Sequence, residues 1–160
     1  MIFRPVTAVR RNHAIEHATV SVLLSEHSPT PFGGVATPAG FLIFGDISKD
    51  DVERAAESAL KRLKEGQNHL AISKFCGTNL VISAVVAGTV TAIVSQRSKG
   101  KLRYFRAAAL GMLAAAVLSG SLGNEVQKKI TTLASMGDTE IRRVSSLNFR
   151  GYKVHFVRTS

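Results

Sequence analysis

The residues best suited to chemistry lie in one short segment near the N-terminus, His13-Ala-Ile-Glu-His17. In a helix, side chains four positions apart project from nearly the same face, so His13 and His17 can bind a single metal ion. Glu16 lies beside them and can serve as the base that activates a metal-bound water. The segment therefore predicts a divalent-metal site, with zinc as the expected ion and Glu16 as the candidate catalytic residue.

A purely structural role is the alternative for the two histidines. His13, His17, Val20 and Leu24 share one stripe of the predicted helix. A helix usually turns such a stripe toward the protein interior. Buried imidazoles there can be satisfied by backbone carbonyls without any metal. The spacing alone leaves both interpretations open.

A zinc site needs a further protein ligand, and the chain offers two candidates. Cys76 is the first choice, because Cys-Gly-Thr-Asn at 76–79 is typical of the start of a helix, where a thiolate is stabilised. Glu125 is the second choice. The alternative for Cys76 is a small packing residue beside a helix cap formed by residues 77–79. As the single cysteine, it excludes an intrachain disulfide and a multi-cysteine cluster.

The composition indicates one domain with a membrane-associated part. The chain has 160 residues, of which 45% are hydrophobic and only 20% charged. That length suits one compact domain and is too short for two ordinary soluble ones. The net charge of +10 suits an anionic partner, either lipid headgroups or nucleic acid.

Two uncharged runs lie in a stretch from Gly66 to Asn124 that contains no Asp or Glu. Residues 75–96 form the first run, and as a helix they can cross a hydrocarbon core of about 30 Å. Residues 107–124 form the second run, which is weaker because Ala and Gly contribute little transfer energy. Together they predict a two-span membrane protein, with a buried hairpin of a soluble fold as the alternative.

Small residues recur at four-residue spacing on both runs, as they do where helices approach closely in lipid. They are Ser83, Ala87 and Thr91 on the first run and Gly111, Ala115 and Ser119 on the second. We therefore expect a tightly packed helical hairpin.

The loop at 97–106 carries five basic residues and no acidic one. By the positive-inside rule it should be cytoplasmic, which would place both termini outside. Residues 1–11, however, lack the apolar core of a signal peptide. The two arguments oppose each other, and the sidedness of the termini stays open.

The remaining segments predict a small α+β domain at the membrane surface. Residues 8–26 have a helical pattern, the segment SPTPFGG at 28–34 is a chain breaker, Gly40–Gly45 is a strand, and Ser48 caps an amphipathic helix that continues to Gly66. Leu70–Ser73 is a further candidate strand. The charges of the amphipathic helix are mixed in sign, as on an ordinary solvated surface.

The last forty residues contain a β-hairpin pattern. Residues 141–147 and 152–158 alternate around Asn148-Phe-Arg-Gly151. We therefore predict an α+β fold in which residues 1–74 and 125–160 build one surface domain, and residues 75–124 are an inserted transmembrane hairpin.

Five segments resemble an uncharacterised bacterial family, a domain of unknown function with two predicted membrane spans. They are RNHAIEHATVSVL, ATPAGFLIFGDIS, FCGTNLVIS, KKITT and VHFVRT, and they are spread over nearly the whole chain. The resemblance implies a bacterial protein integral to the cell membrane and assigns no activity.

The HxxEH helix, followed by a strand and an amphipathic helix, is also similar to the pitrilysin and insulysin metallopeptidases. That similarity implies His13 and His17 as zinc ligands and Glu16 as the general base. It also requires a distal glutamate ligand, for which Glu125 is the candidate.

Three classes of function follow from these features. The first is a non-catalytic accessory or assembly protein that contacts other membrane-protein subunits, because the chain is small and lacks a complete catalytic set. The second is a membrane-anchored, peptidase-like zinc hydrolase. The third is a binder of anionic lipid or nucleic acid; it ranks last because topology explains the basic loop, and we do not expect a nucleic-acid partner.

Overall fold

The computed structural model describes residues 3–27, 32–149 and 152–160. A 3-10 helix at Asn68–Ala71 and a π-helix at Gln127–Thr131 accompany the main elements. The chain divides into two compact units, the first formed by Met1–Ser73 with Lys128–Ser160 and the second by Lys74–Gln127. The main elements are α1 (Phe3–Glu26), β1 (Gly33–Thr37), β2 (Gly40–Phe44), α2 (Lys49–Lys64), α3 (Gly77–Arg97), α4 (Arg103–Val126), β3 (Ile141–Phe149) and β4 (Tyr152–Thr159).

A four-stranded antiparallel sheet organises the first unit, in the order β1-β2-β4-β3. The central pair joins β2, from the N-terminal part, to β4, from the C-terminal end, with Ile43 opposite His155. The predicted α+β fold, with both ends of the chain in one sheet, is therefore confirmed.

Both helices of the first unit pack on one face of this sheet. Phe41, Ile43 and Val157 point from the sheet into a core shared with Ile15 of α1 and Val52 of α2. Burying each such side chain contributes about 1.5–3 kcal/mol relative to exposure. The opposite face of the sheet stays open, and Val35, Leu147 and Tyr152 are more than half exposed there.

Local patterns explain the two helices. Pro5 lies in the first turn of α1, where its missing N–H costs nothing, and the helix begins at Phe3, earlier than the predicted residue 8. Ser48 caps α2 by accepting a hydrogen bond from the backbone N–H of Asp51 at 3.1 Å, as predicted.

Two sequence-based expectations for the first unit are wrong. Gly33 and Gly34, predicted as part of a chain breaker, belong to β1; residues 28–31 of that segment lie outside the described residues. Leu70–Ser73 was predicted as a strand, but its first two residues belong to the 3-10 helix Asn68–Ala71. Backbone bonds such as Leu70 N–H to Gln67 C=O favour that turn over an extended chain. The β3–β4 turn also extends outside the described residues, at 150 and 151.

The second unit is a hairpin of the two long apolar helices. α3 and α4 pack through small residues: a Cβ atom on Gly111 would overlap the Ala87 carbonyl and the Thr91 hydroxyl. Ala107, Gly111, Ala115 and Gly123 are the buried residues of α4, mostly four apart. The predicted hairpin is confirmed, although α4 begins at Arg103, so the basic loop is shorter than predicted.

Candidate metal centre

Helix α1 carries the three residues of the predicted site on one side. His13 is half-buried, while Glu16 and His17 are 6% and 3% exposed. The two imidazole rings pack edge to face with their centroids 4.3 Å apart. The sequence-predicted pair therefore lies together in the first unit, inside the protein and beside a carboxylate.

Backbone carbonyls orient both rings. The Nδ1 atom of His13 lies 3.0 Å from the carbonyl oxygen of Thr131, and that of His17 lies 2.8 Å from the carbonyl oxygen of Ala71. A carbonyl can only accept, so each Nδ1 carries the proton and donates. In a neutral imidazole the Nε2 lone pair is then available as a metal donor, as in most protein zinc sites.

The Glu16 carboxylate faces both Nε2 atoms. Its Oε2 lies 3.9 Å from Nε2 of His13 and 3.8 Å from Nε2 of His17. One ring nitrogen of each histidine lies within 4.8 Å of the other's. Two ligands of a tetrahedral zinc ion are about 3.4 Å apart, a separation that lies within this limit. This donor set fits zinc.

Gly34 of β1 makes room for Glu16. A Cβ atom at this position would overlap the Glu16 carboxyl group. The strand therefore holds the carboxylate against the histidines only because residue 34 has no side chain. Sequence analysis missed this role; the available signal was a glycine inside a short strand, which often marks a close approach.

Arg10 positions the segment that carries Thr131. Its Nη2 atom donates to the carbonyl oxygens of Lys129 at 2.9 Å and Thr132 at 3.0 Å. The Leu133 N–H donates in turn to the Arg10 carbonyl at 3.0 Å. α1 thus holds the chain on both sides of Thr131, and sequence analysis did not anticipate this.

Cys76 and Glu125 belong to the second unit. Cys76 is the N-cap residue of α3, where its Sγ accepts from the backbone N–H of Thr78 at 3.4 Å. The cap is therefore Cys76 itself rather than the residues that follow it. Glu125 is exposed in the last turn of α4. Both residues stay predicted ligands.

His155 is the other well-buried histidine among the described residues, 1% exposed on β4. Its Nδ1 pairs with the Ser146 hydroxyl at 2.7 Å. Burial lowers the pKa of His155 below its ordinary value of 6.5; the Ile47 carbonyl opposes this effect and Lys153 adds to it. Its place in the sheet core makes it a packing residue.

Comparison with known proteins identifies the family of this chain. A family model described as a domain of unknown function, DUF6391, matches residues 8–144. An uncharacterised protein of Picosynechococcus sp. (strain PCC 7002) is 31% identical over 165 residues, an alignment that covers 97% of this chain and 80% of that protein. No solved structure matches the chain significantly. The chain belongs to the DUF6391 family, an uncharacterised family as its sequence motifs implied.

Proposed function

We propose that this chain is an integral membrane protein with two spans that holds one divalent metal ion, zinc, on His13 and His17. The orientation of the two rings supports the metal most directly. Both Nδ1 atoms are bound to backbone carbonyls, and both Nε2 atoms lie within 4 Å of the Glu16 carboxylate. Two histidines that only fill space in a core would not need to direct both Nε2 atoms toward the same point.

The length and the surface of the second unit support the membrane assignment. α3 has 21 residues and the apolar helix from Arg103 to Thr131 has 29, and an 18-residue window within each has a mean hydropathy of 1.8 and 1.6, respectively. A helix of 21 residues is about 32 Å long, enough to cross the hydrocarbon core. Leu80, Leu113 and Val117 are 74%, 61% and 68% exposed, whereas a soluble buried hairpin would cover them. Extraction by alkaline carbonate without detergent would contradict this assignment.

Cys76 is the proposed third ligand and Glu125 the second choice. The short chain distance between Cys76 and a residue of the site supports Cys76 as the first choice. Cys76 follows Ala71, whose carbonyl binds His17, by five residues, which span at most about 18 Å. A thiolate is a preferred zinc ligand, and the two imidazoles with one thiolate leave a fourth position for water.

Metal content tests the proposal. Detergent-purified protein should contain about one zinc per chain by elemental mass spectrometry, and the double variant His13→Ala/His17→Ala should contain almost none. His69→Ala is the matched control, since His69 is exposed in the 3-10 helix of the same unit. Equal zinc in the wild type and the double variant would overturn the metal site.

The metal has two candidate roles, one structural and one catalytic. In an accessory or assembly protein the ion is structural and Glu16 anchors the rings. The second candidate is a membrane-anchored zinc hydrolase, which the position of Glu16 favours, since its Oε2 lies at nearly equal distance from both Nε2 atoms, where a base can reach a metal-bound water.

The variant Glu16→Gln separates the two candidates. Zinc should stay bound in both cases, because Glu16 is not a proposed ligand. Hydrolysis of ester or peptide test substrates by zinc-loaded protein should be abolished only if Glu16 is the base. Activity in the wild type that survives Glu16→Gln would contradict the hydrolase mechanism, and its absence in both leaves the accessory role.

A further inference from the structure

An apolar groove runs along the first turns of α1 and reaches His13. Its volume is about 410 Å³, within the usual range of small-molecule sites. Val6 is 53% exposed in this groove. Exposure of its apolar surface to water is unfavourable, and an apolar ligand in the groove would cover it. The lining residues are Pro5, Val6, Val9, Arg10, His13 and Thr131.

Positive charge borders the groove on one side. Arg10 lines it and is held there by its bonds to the carbonyls of Lys129 and Thr132. Lys129, whose carbonyl accepts from Arg10, is exposed two residues before Thr131 in the chain. The six lining residues include no carboxylate. An apolar channel with a cationic edge is complementary to an amphiphile that has an anionic head.

Thr131 links this groove along the chain to the proposed membrane segment. Thr131 is four residues beyond Gln127, where the second unit ends. Four residues span at most about 14 Å. If α4 crosses the bilayer, the groove lies within reach of the headgroup layer, where anionic amphiphiles are abundant.

We propose that the groove binds one acyl chain of an anionic membrane phospholipid, whose phosphate lies near Arg10 and Lys129. This site borders the proposed metal centre at His13 but needs no zinc, and it rests on the proposed membrane insertion. The acyl chain covers Val6 and Val9, and the cations select the charged head over a zwitterionic one.

Photocrosslinking in lipid nanodiscs tests the site. The probe is phosphatidylglycerol with a diazirine on one acyl chain, and phosphatidylcholine with the same acyl chain is the comparison. Mass spectrometry should find adducts on residues 4–10 or 129–132, about fivefold more with phosphatidylglycerol. Such a ratio corresponds to about 1 kcal/mol. Equal groove labelling by the two lipids would overturn the anionic selectivity, and no groove labelling would overturn the site.

Two variants and one control sharpen the result. Val6→Asp should reduce groove adducts about fivefold, a loss of about 1 kcal/mol, and Lys129→Gln, at an exposed position, should reduce the preference for phosphatidylglycerol. Val35→Asp is the control, because Val35 is 52% exposed on the open sheet face. If neither variant changes the groove adducts, the proposal is wrong.

The same sample separates this inference from the proposed function. Adducts on α3 and α4 report membrane insertion, and elemental analysis reports zinc. Labelled helices with an unlabelled groove overturn only the lipid site. Unlabelled helices overturn the membrane assignment and the lipid site together.

Discussion

The two units of this chain place their apolar residues in opposite ways. The first unit buries Phe41, Ile15 and Leu23 completely between helices and sheet. The second joins its helices through Gly111, Ala115 and other small residues, while Leu80 and Val117 point outward. Burial from water accounts for folding of the first unit. The second unit has helices long and apolar enough to span a membrane, and close packing through small residues is how helices associate in lipid, the environment proposed for it.

The largest effect should come from removing a buried ring of the first unit. Phe41→Ala leaves a cavity in a core position that is 0% exposed. We expect a loss of about 3–5 kcal/mol in the free energy of unfolding, seen as a lower midpoint in thermal denaturation of the reconstituted protein. Leu113→Ala, at a position 61% exposed in the second unit, should change the midpoint little. If Leu113→Ala lowered the midpoint as much as Phe41→Ala, the proposed difference between the two units would be wrong.

The second unit should instead be sensitive to added volume. Gly111→Leu pushes a side chain into the Ala87 carbonyl, and we expect a cost of about 1–3 kcal/mol to the helix pair. Gly120→Leu is the matched control on the same helix, since a Cβ there meets no atom within 4 Å. Faster proteolysis of the loop at 98–102 in nanodiscs should report the difference. If Gly120→Leu is cleaved as fast as Gly111→Leu, close packing does not hold the hairpin.

A single methyl group should disturb the candidate metal centre. Gly34→Ala forces the Glu16 carboxylate away from the histidines, at a cost of about 1–3 kcal/mol. If Glu16 anchors the histidine rings that hold the metal, zinc affinity should fall about 10–100-fold in a competition titration with a chelator, although zinc stays bound when it is in excess. Gly33→Ala, where the nearest atom is Phe44 Cδ2 at 4.0 Å, should leave both quantities near wild type. A normal affinity in Gly34→Ala would show that the Glu16 position is irrelevant to the metal.

The smallest effect concerns pH. The pKa of His155 is lowered in the folded protein, so the unfolded chain binds its proton more readily. The stabilisation is therefore full above the ordinary pKa of 6.5 and is lost as the pH falls through the lower folded value. One group changes the free energy of unfolding by at most about 1.4 kcal/mol per pH unit. Chemical denaturation between pH 7.5 and about pH 5 gives the free energy of unfolding at each pH. This free energy should change less steeply with pH in His155→Gln than in the wild type. Equal pH dependence in the two proteins would contradict the lowered pKa of His155.

Elements with strong local patterns could be predicted from the sequence. The long helices have either a clear period or a long uncharged run, and the final hairpin alternates regularly. β1 was missed because its Gly33-Gly34 pair is typical of a turn, and the need for Gly34 comes from Glu16, on another element. Leu70 was placed in a strand because four residues are too few to distinguish alternation from a 3-10 turn.

The candidate site could be predicted only in part, for a similar reason. The four-residue spacing of His13 and His17 is visible in the chain. Their partners are backbone carbonyls at Thr131 and Ala71, separated from them by 118 and 54 residues. Any residue type can supply a carbonyl, so no side-chain pattern marks those positions.

X-ray absorption at the zinc edge tests the central claim most directly. In zinc-loaded protein reconstituted in lipid, we expect two imidazole nitrogens at about 2.0–2.1 Å and one sulfur at about 2.3 Å. Cys76→Ser should remove the sulfur contribution, and His13→Ala/His17→Ala should remove the imidazole contribution. A zinc ion surrounded only by oxygen, without imidazole scattering, would contradict a metal centre on His13 and His17.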